Sequence, residues 1–199
     1  MLTGEIYHVY NHANGRENLF VEEKNYHFFM QKISEHILPV CKLFAYCLMP
    51  NHFHLLVQVN KEEELQLAYQ GADPPVVFKQ EKLELKVSKS FANLFSSYAQ
   101  SFNKVYNRKG SLFMPSMKTE IIESDESFCK VVHYLHANPV HHGFVKEIDH
   151  WQHSSYHGLI GEDFTKISRD YVIEIFGGFK AFVKYHQQEI SLKNKWIDE

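Results

Sequence analysis

The sequence predicts an α+β fold, a ferredoxin-like (split βαβ) antiparallel sheet with helices on one face and further helices appended at the C-terminus. Three observations carry this reading. Four segments alternate apolar and polar residues with the period of a strand, near 4–11, 42–49, 52–59 and 117–122. Two long stretches, 24–38 and 88–106, instead repeat apolar residues at helical spacing, and a third helix is expected over 125–137. The resulting order is strand, helix, strand, strand, helix, strand.

Each element has a local cause. Gly4-Glu-Ile-Tyr-His-Val-Tyr-Asn11 is aromatic-rich and alternating, and a loop with Gly15 follows. Tyr26, Phe29, Met30, Ile33 and Ile37 form one helical stripe that Pro39 ends. Pro50-Asn51 between two strands reads as a hairpin turn. Residues 60–87 are mixed and charged, with Gly71-Ala-Asp-Pro-Pro75 inside, and read as a surface loop or insertion. Ser88 is expected to cap the next helix, whose stripe is Phe91, Leu94, Phe95, Tyr98, Phe102, Val105 and Tyr106, with Gly110 as its stop. Ser124-Asp-Glu126 opens a helix carrying Phe128, Val131, Val132 and Leu135, expected to end near Asn138-Pro139. A last helix over 171–188 is interrupted at Gly177-Gly178.

Composition narrows the class. At 199 residues, with 44% hydrophobic and 15% aromatic content, the chain can bury one sizeable core. No apolar run reaches the roughly 18 residues of a membrane span, and the N-terminus lacks the basic and apolar regions of a secretory signal. Three cysteines, with Cys41 and Cys47 too far apart along one strand to bridge, fit a reducing, cytoplasmic setting. The net charge of −3 is unevenly spread: residues 79–118 hold eight basic and two acidic residues, a net +6, which leaves −9 for the remainder. Such asymmetry marks either a phosphate-facing surface or a solvated helix face.

The stretch with chemical content is Met49-Pro-Asn-His-Phe-His-Leu-Leu-Val-Gln-Val59. Residues two apart on a strand share a face. Phe53, Leu55, Val57 and Val59 therefore make an apolar face, and His52, His54, Leu56 and Gln58 the other. In a chain with 14 histidines, the pair is either ordinary surface or aimed at a shared ion. A third donor is then needed, and Tyr134 and Asn138, one helical turn apart, are the candidates. A tyrosine hydroxyl can act as a covalent nucleophile, and an amide oxygen suits Mg²⁺ or Mn²⁺. Either residue could equally be helix core or a helix end.

The chain resembles the single-tyrosine HUH transposase superfamily, the IS200-like transposases, and within it the REP-associated tyrosine transposase type. The resemblance is carried, in order, by Tyr7-His-Val-Tyr-Asn11, Leu43-Phe-Ala-Tyr-Cys-Leu-Met-Pro-Asn-His-Phe-His-Leu-Leu-Val57, Gly110-Ser-Leu-Phe113, Tyr134-Leu-His-Ala-Asn-Pro-Val140 and Trp151-Gln-His-Ser-Ser-Tyr156. It implies a catalytic domain over about 1–160; residues 161–199, outside the resemblance, are expected to form a helical extension packed on the same domain. It further implies metal ligands His52, His54 and Asn138, a divalent Mg²⁺ or Mn²⁺, and Tyr134 as nucleophile. The implied activity is DNA transposition or recombination: cleaving and rejoining single-stranded DNA beside a hairpin or palindrome through a 5′-phosphotyrosine. The protein would work as a monomer or homodimer, in the cytoplasm and on the bacterial nucleoid when bound to DNA. Lys89, Lys104, Arg108, Lys109 and Lys118 are candidate contacts to the DNA backbone. Relatives carry glutamine and arginine where this chain has Met114 and Ser116, which leaves room for a host-adopted or weakened enzyme.

Two other classes compete with the transposase. One is a non-cleaving binder of structured single-stranded nucleic acid, derived from such an enzyme. The other, a metal phosphoesterase, is disfavoured because the histidines lack the nearby carboxylates of a two-metal site.

Overall fold

The computed structural model describes residues 1–69 and 77–188. The expected Gly71-to-Pro75 loop and the last eleven residues of the C-terminal extension lie outside the described residues. Four strands form one sheet: β1 (Ile6–His12), β2 (Cys41–Met49), β3 (His52–Val59) and β4 (Lys118–Ile121), in the order β2-β3-β1-β4. Every neighbouring pair is antiparallel. β1 and β2 flank α1 (Glu23–His36) in sequence, yet β3 lies between them.

The period-two reading of β3 places its side chains as expected. Phe53, Leu55, Val57 and Val59 join Leu43, Val9 and Tyr7 in a core shared with α1 and with α3 (Gln80–Val105). Leu56 belongs to a second core on the opposite face. A register shift between Leu43 and Ala45 lets Phe44 and Ala45 both face that second core. α4 (Asp125–His141) packs there, with α5 (Tyr156–Ile160), α6 (Arg169–Ile175) and α7 (Phe179–His186). Helices therefore lie on both faces of the sheet and not on one as expected: α1 and α3 on one, α4 and the appended helices on the other.

Three local expectations need correction. The second long helix does not start at Ser88. It starts at Gln80 after Lys79, because Leu83 and Val87 extend its buried stripe, and the Ser88 hydroxyl merely donates to the Glu84 carbonyl at 3.0 Å. Residues 60–87 accordingly hold ordered helix at both ends, α2 (Glu62–Ala68) and the first turns of α3. At the far end of the α3 stripe, Val105 is exposed. α4 also outruns its predicted end: it continues through Pro139 to His141, with both Ala137 and Asn138 buried. Proline normally interrupts a helix by removing one N–H, and tertiary burial outweighs that loss here.

Other local expectations hold. Ser124 caps α4 by accepting the Ser127 N–H at 3.2 Å. Gly177 and Gly178, with φ of 81° and 108°, separate α6 from α7. Cys41, Cys47 and Cys129 are free thiols. Among the described residues, no helix is long and apolar enough to cross a membrane.

Candidate active site at the sheet–helix junction

Strand register builds the site. His52 pairs with His12 of β1 and Met49 of β2, and His54 pairs with Tyr10 and Cys47. Cross-strand partners share a face, so His8, Tyr10 and His12 stand in a row beside His52 and His54, under α4. Sequence reasoning missed His8 and His12, although their i, i+2, i+4 spacing with Tyr10 is the same signal that exposed the β3 pair. The His12 and His52 rings stack with centroids 4.8 Å apart, and His142, just past α4, lies 5.3 Å from His52. Three of the four β1 and β3 histidines are buried: His8, His52 and His54 are 1%, 3% and 4% exposed, and His12 is half-buried.

The structure brings the four predicted site residues together within one chain. His52 Nε2 lies 3.1 Å from Asn138 Oδ1, and the Tyr134 ring meets His54 edge-on at 5.5 Å between centroids. Tyr134 also lies 6.3 Å from His8. The second nitrogen of each β3 histidine is engaged: His52 Nδ1 is 2.9 Å from Asn51 Oδ1, and His54 Nδ1 is 2.9 Å from His8 Nε2. Asn51, in the hairpin turn, is a further residue that sequence reasoning read only as turn chemistry.

Burial sets the electrostatics. It pulls the pKa of His8 and of His52 down to about 3 and holds His54 well below the ordinary imidazole value. Neighbouring histidines add to the depression at His52 and His54. All three imidazoles are thus neutral near pH 7, the form that ligates metals.

The geometry of His52 bears on whether an ion fits. Neutral His52 carries one proton, yet both its nitrogens face amide oxygens, Asn51 Oδ1 and Asn138 Oδ1. With the proton on Nδ1, Nε2 presents a lone pair to Asn138 Oδ1. A cation shared by Nε2 and Oδ1, or rotation of either amide, resolves that clash. Two ligands about 2.1–2.2 Å from one ion in adjacent octahedral positions are about 3 Å apart, close to the observed 3.1 Å. Among the described residues, no group of three or more His, Cys, Asp or Glu side chains could hold a metal. An ion here would therefore depend on the Asn138 amide as third protein donor.

The five candidate DNA-contacting cations do not form one surface. Lys118 pairs with Tyr10 on β4 and is exposed on the histidine face. Lys89 and Lys104 are exposed on α3, which packs on the other side of the sheet, and exposed Lys109 follows that helix. Arg108 is already committed: its guanidinium donates to Glu17, to Asn103 Oδ1 at 2.8 Å and to the Ser111 carbonyl at 2.7 Å. It closes the turn after α3 in place of facing a ligand.

Fold and site together define an α+β protein in which a paired-histidine strand lies beneath a tyrosine-bearing helix. The comparisons with known proteins point the same way as the sequence motifs. The chain is 24% identical over 118 residues to the "Putative REP-associated tyrosine transposase" of Haemophilus influenzae. That match covers 57% of this chain and 57% of the relative, so the chain spans little more than half the length of the curated protein it matches. Among solved structures, a REP-associated tyrosine transposase bound to a REP hairpin superposes with a TM-score of 0.52 at 17% identity, covering 84% of this chain and 92% of that one. At that identity the superposition speaks for the fold. No family model matches the sequence.

Proposed function

We propose that this protein is a metal-dependent, single-tyrosine DNA strand transferase of the REP-associated transposase kind, acting on single strands beside a hairpin. The observation that carries the proposal is the meeting of His52, His54, Asn138 and Tyr134 at one sheet–helix junction of a single chain. The named relative and the hairpin-bound structural neighbour support the substrate class.

His52 and Asn138 would offer Nε2 and Oδ1 to a divalent Mg²⁺ or Mn²⁺ ion. His54 would join through Nε2 when its Nδ1–H donates to His8. Such an ion, when bound, would polarise the scissile phosphate as a Lewis acid. Tyr134 Oη forms the new bond to phosphorus while the bond to the 3′ oxygen breaks. The phenolic proton passes to solvent and the departing 3′ oxygen takes one up, giving a 5′-phosphotyrosine and a free 3′-hydroxyl. Attack of a 3′-hydroxyl on the phosphotyrosine reverses these steps, so rejoining needs no nucleotide cofactor. Lys118, exposed on the same face, would meet the strand's phosphates.

The test is incubation with a hairpin-bearing single strand and Mn²⁺. The expected result is a covalent protein–DNA adduct that Tyr134→Phe loses while hairpin binding persists. An adduct of undiminished yield from Tyr134→Phe would remove Tyr134 from its assigned role. A second reading, a non-cleaving binder of structured single strands, is favoured by Met114 and Ser116 and by the engagement of Arg108. Hairpin binding unchanged by chelator, with no cleavage, would select it.

A further inference from the structure

The helix that carries Tyr134 and Asn138 is held by a chain of polar contacts outside the site. His136 Nε2 lies 2.7 Å from Ser155 Oγ, and His136 Nδ1 lies 2.8 Å from His186 Nε2. His186 Nδ1 lies 2.9 Å from the Phe182 carbonyl, and the Tyr46 N–H reaches Ser155 Oγ at 2.9 Å. The chain thus runs from β2 through the segment before α5, across α4 and into α7. His136 and Ser155 are fully buried and His186 is 7% exposed.

The direction of every bond follows from its last member. A carbonyl only accepts, so His186 carries its proton on Nδ1. The ring is buried and its neighbours in the chain are neutral, so its Nε2 is an acceptor. His136 must then donate from Nδ1, which leaves its own Nε2 to accept from the Ser155 hydroxyl. Ser155 Oγ in turn accepts the Tyr46 N–H. The result is a one-way series: Tyr46 N–H to Ser155, to His136, to His186, to the Phe182 carbonyl. The Ser155 hydroxyl has the Tyr46 carbonyl as a second, longer acceptor at 3.2 Å, and each imidazole is confined to its Nδ1–H tautomer.

We infer that this one-way chain through Ser155, His136 and His186 sets the rotation of α4, making the three side chains positioning residues for Tyr134 and Asn138. Two positions along a helix amount to a rotation of about 200°. His136 therefore points away from the face that carries Tyr134 and Asn138, and its two bonds oppose any roll of the helix about its axis. A roll would carry Asn138 Oδ1 off His52 Nε2 and the Tyr134 ring off His54. Packing alone resists such motion less sharply, because apolar contacts have no preferred direction. The catalytic consequence rests on the proposed function, whereas the geometry does not.

The test uses the full chain with ¹⁵N-labelled histidines, without DNA or metal. In the wild type, His136 and His186 should both show a protonated Nδ1 and a bare Nε2; an Nε2–H tautomer at either would overturn the inference. His186→Phe keeps an aromatic ring but removes the acceptor, and should shift the His52 Nε2 resonance through the moved Asn138. His186→Gln, whose amide oxygen can replace Nε2, should restore it. A His52 resonance indifferent to His186→Phe would overturn the positioning role. Should His186→Phe not fold, Ser155→Ala opens the chain at its other end with the same expectations. With hairpin DNA and Mn²⁺, the single-turnover adduct rate of His186→Phe should fall at least about tenfold at unchanged hairpin affinity, and His186→Gln should recover it. Absence of adduct from the wild type would count against the proposed function, and the two resonance measurements would still decide the chain's role.

Discussion

His52 Nε2 and Asn138 Oδ1 stand 3.1 Å apart, across 86 residues of sequence, with both side chains buried. If this contact is half of an ion site, Asn138→Ala should weaken Mn²⁺ binding at least about tenfold, in line with losses at metal-site positions. Asn138→Asp should strengthen it, because a carboxylate adds charge to a hard oxygen donor. Calorimetric titration of Mn²⁺ into each variant measures both. Equal affinities across the three proteins would reduce the contact to an ordinary hydrogen bond.

His8 Nε2 lies 2.9 Å from His54 Nδ1, so under the proposed function it would orient that ring. His8→Phe preserves the ring beside Tyr10, 4.8 Å away, but cannot hydrogen-bond to His54. The expected result is a loss of about 10–100-fold in Mn²⁺ affinity with the fold retained by circular dichroism. His8→Gln, which can still hydrogen-bond, should lose less. Indifference of metal binding to both changes would show that His54 needs no partner.

The histidine faces were partly legible in the sequence because strand periodicity is rigid. Once Phe53, Leu55, Val57 and Val59 are assigned to one core, His52 and His54 must face the other way. The same period-two spacing in β1 puts His8 and His12 on the face of His52 and His54 and is equally present in the sequence. The length of α4 was not legible. Pro139 is a strong local stop, and what overrides it is the burial of Ala137 and Asn138 against distant elements. The start of α3 failed for a related reason: Ser88 has the chemistry of a cap, but the apolar stripe already begins at Leu83. The engagement of Arg108 by Glu17 depends on a contact between residues 91 positions apart, which charge counting cannot see.

Acid should destabilise the fold through the histidines behind α4. Burial lowers His133 to about 4 and His186 to about 3, against an unfolded value near 6.5. Below that value the unfolded chain binds more protons than the folded one. Stability that is fully present above pH 6.5 is therefore lost as pH falls, down to the folded pKa values. Each group contributes a slope of about 1.4 kcal/mol per pH unit within that window. Urea melts in metal-free buffer at about pH 7, 6 and 5 should show a falling unfolding free energy. A flat profile would mean that these rings are protonated at no cost in the folded state.

Lys118 and Arg108 should separate cleanly when both are tested. Lys118 is exposed on the histidine face, so Lys118→Ala should weaken hairpin binding and lower the slope of log affinity against log salt by about 0.7–0.9, the value of one phosphate contact. Arg108 is bound to Glu17, Asn103 and the Ser111 carbonyl, so Arg108→Ala should leave that slope unchanged. Its cost should appear in the melting curve instead, because those carbonyl and amide acceptors lose a charged donor worth about 1.5–3 kcal/mol per bond at most, less where solvent reaches them. Binding isotherms over a series of salt concentrations, together with thermal melts of the free proteins, measure the two effects separately. A salt slope that falls for Arg108→Ala and not for Lys118→Ala would place the DNA path along α3, across the sheet from Tyr134, and would break the link between the proposed strand path and the site.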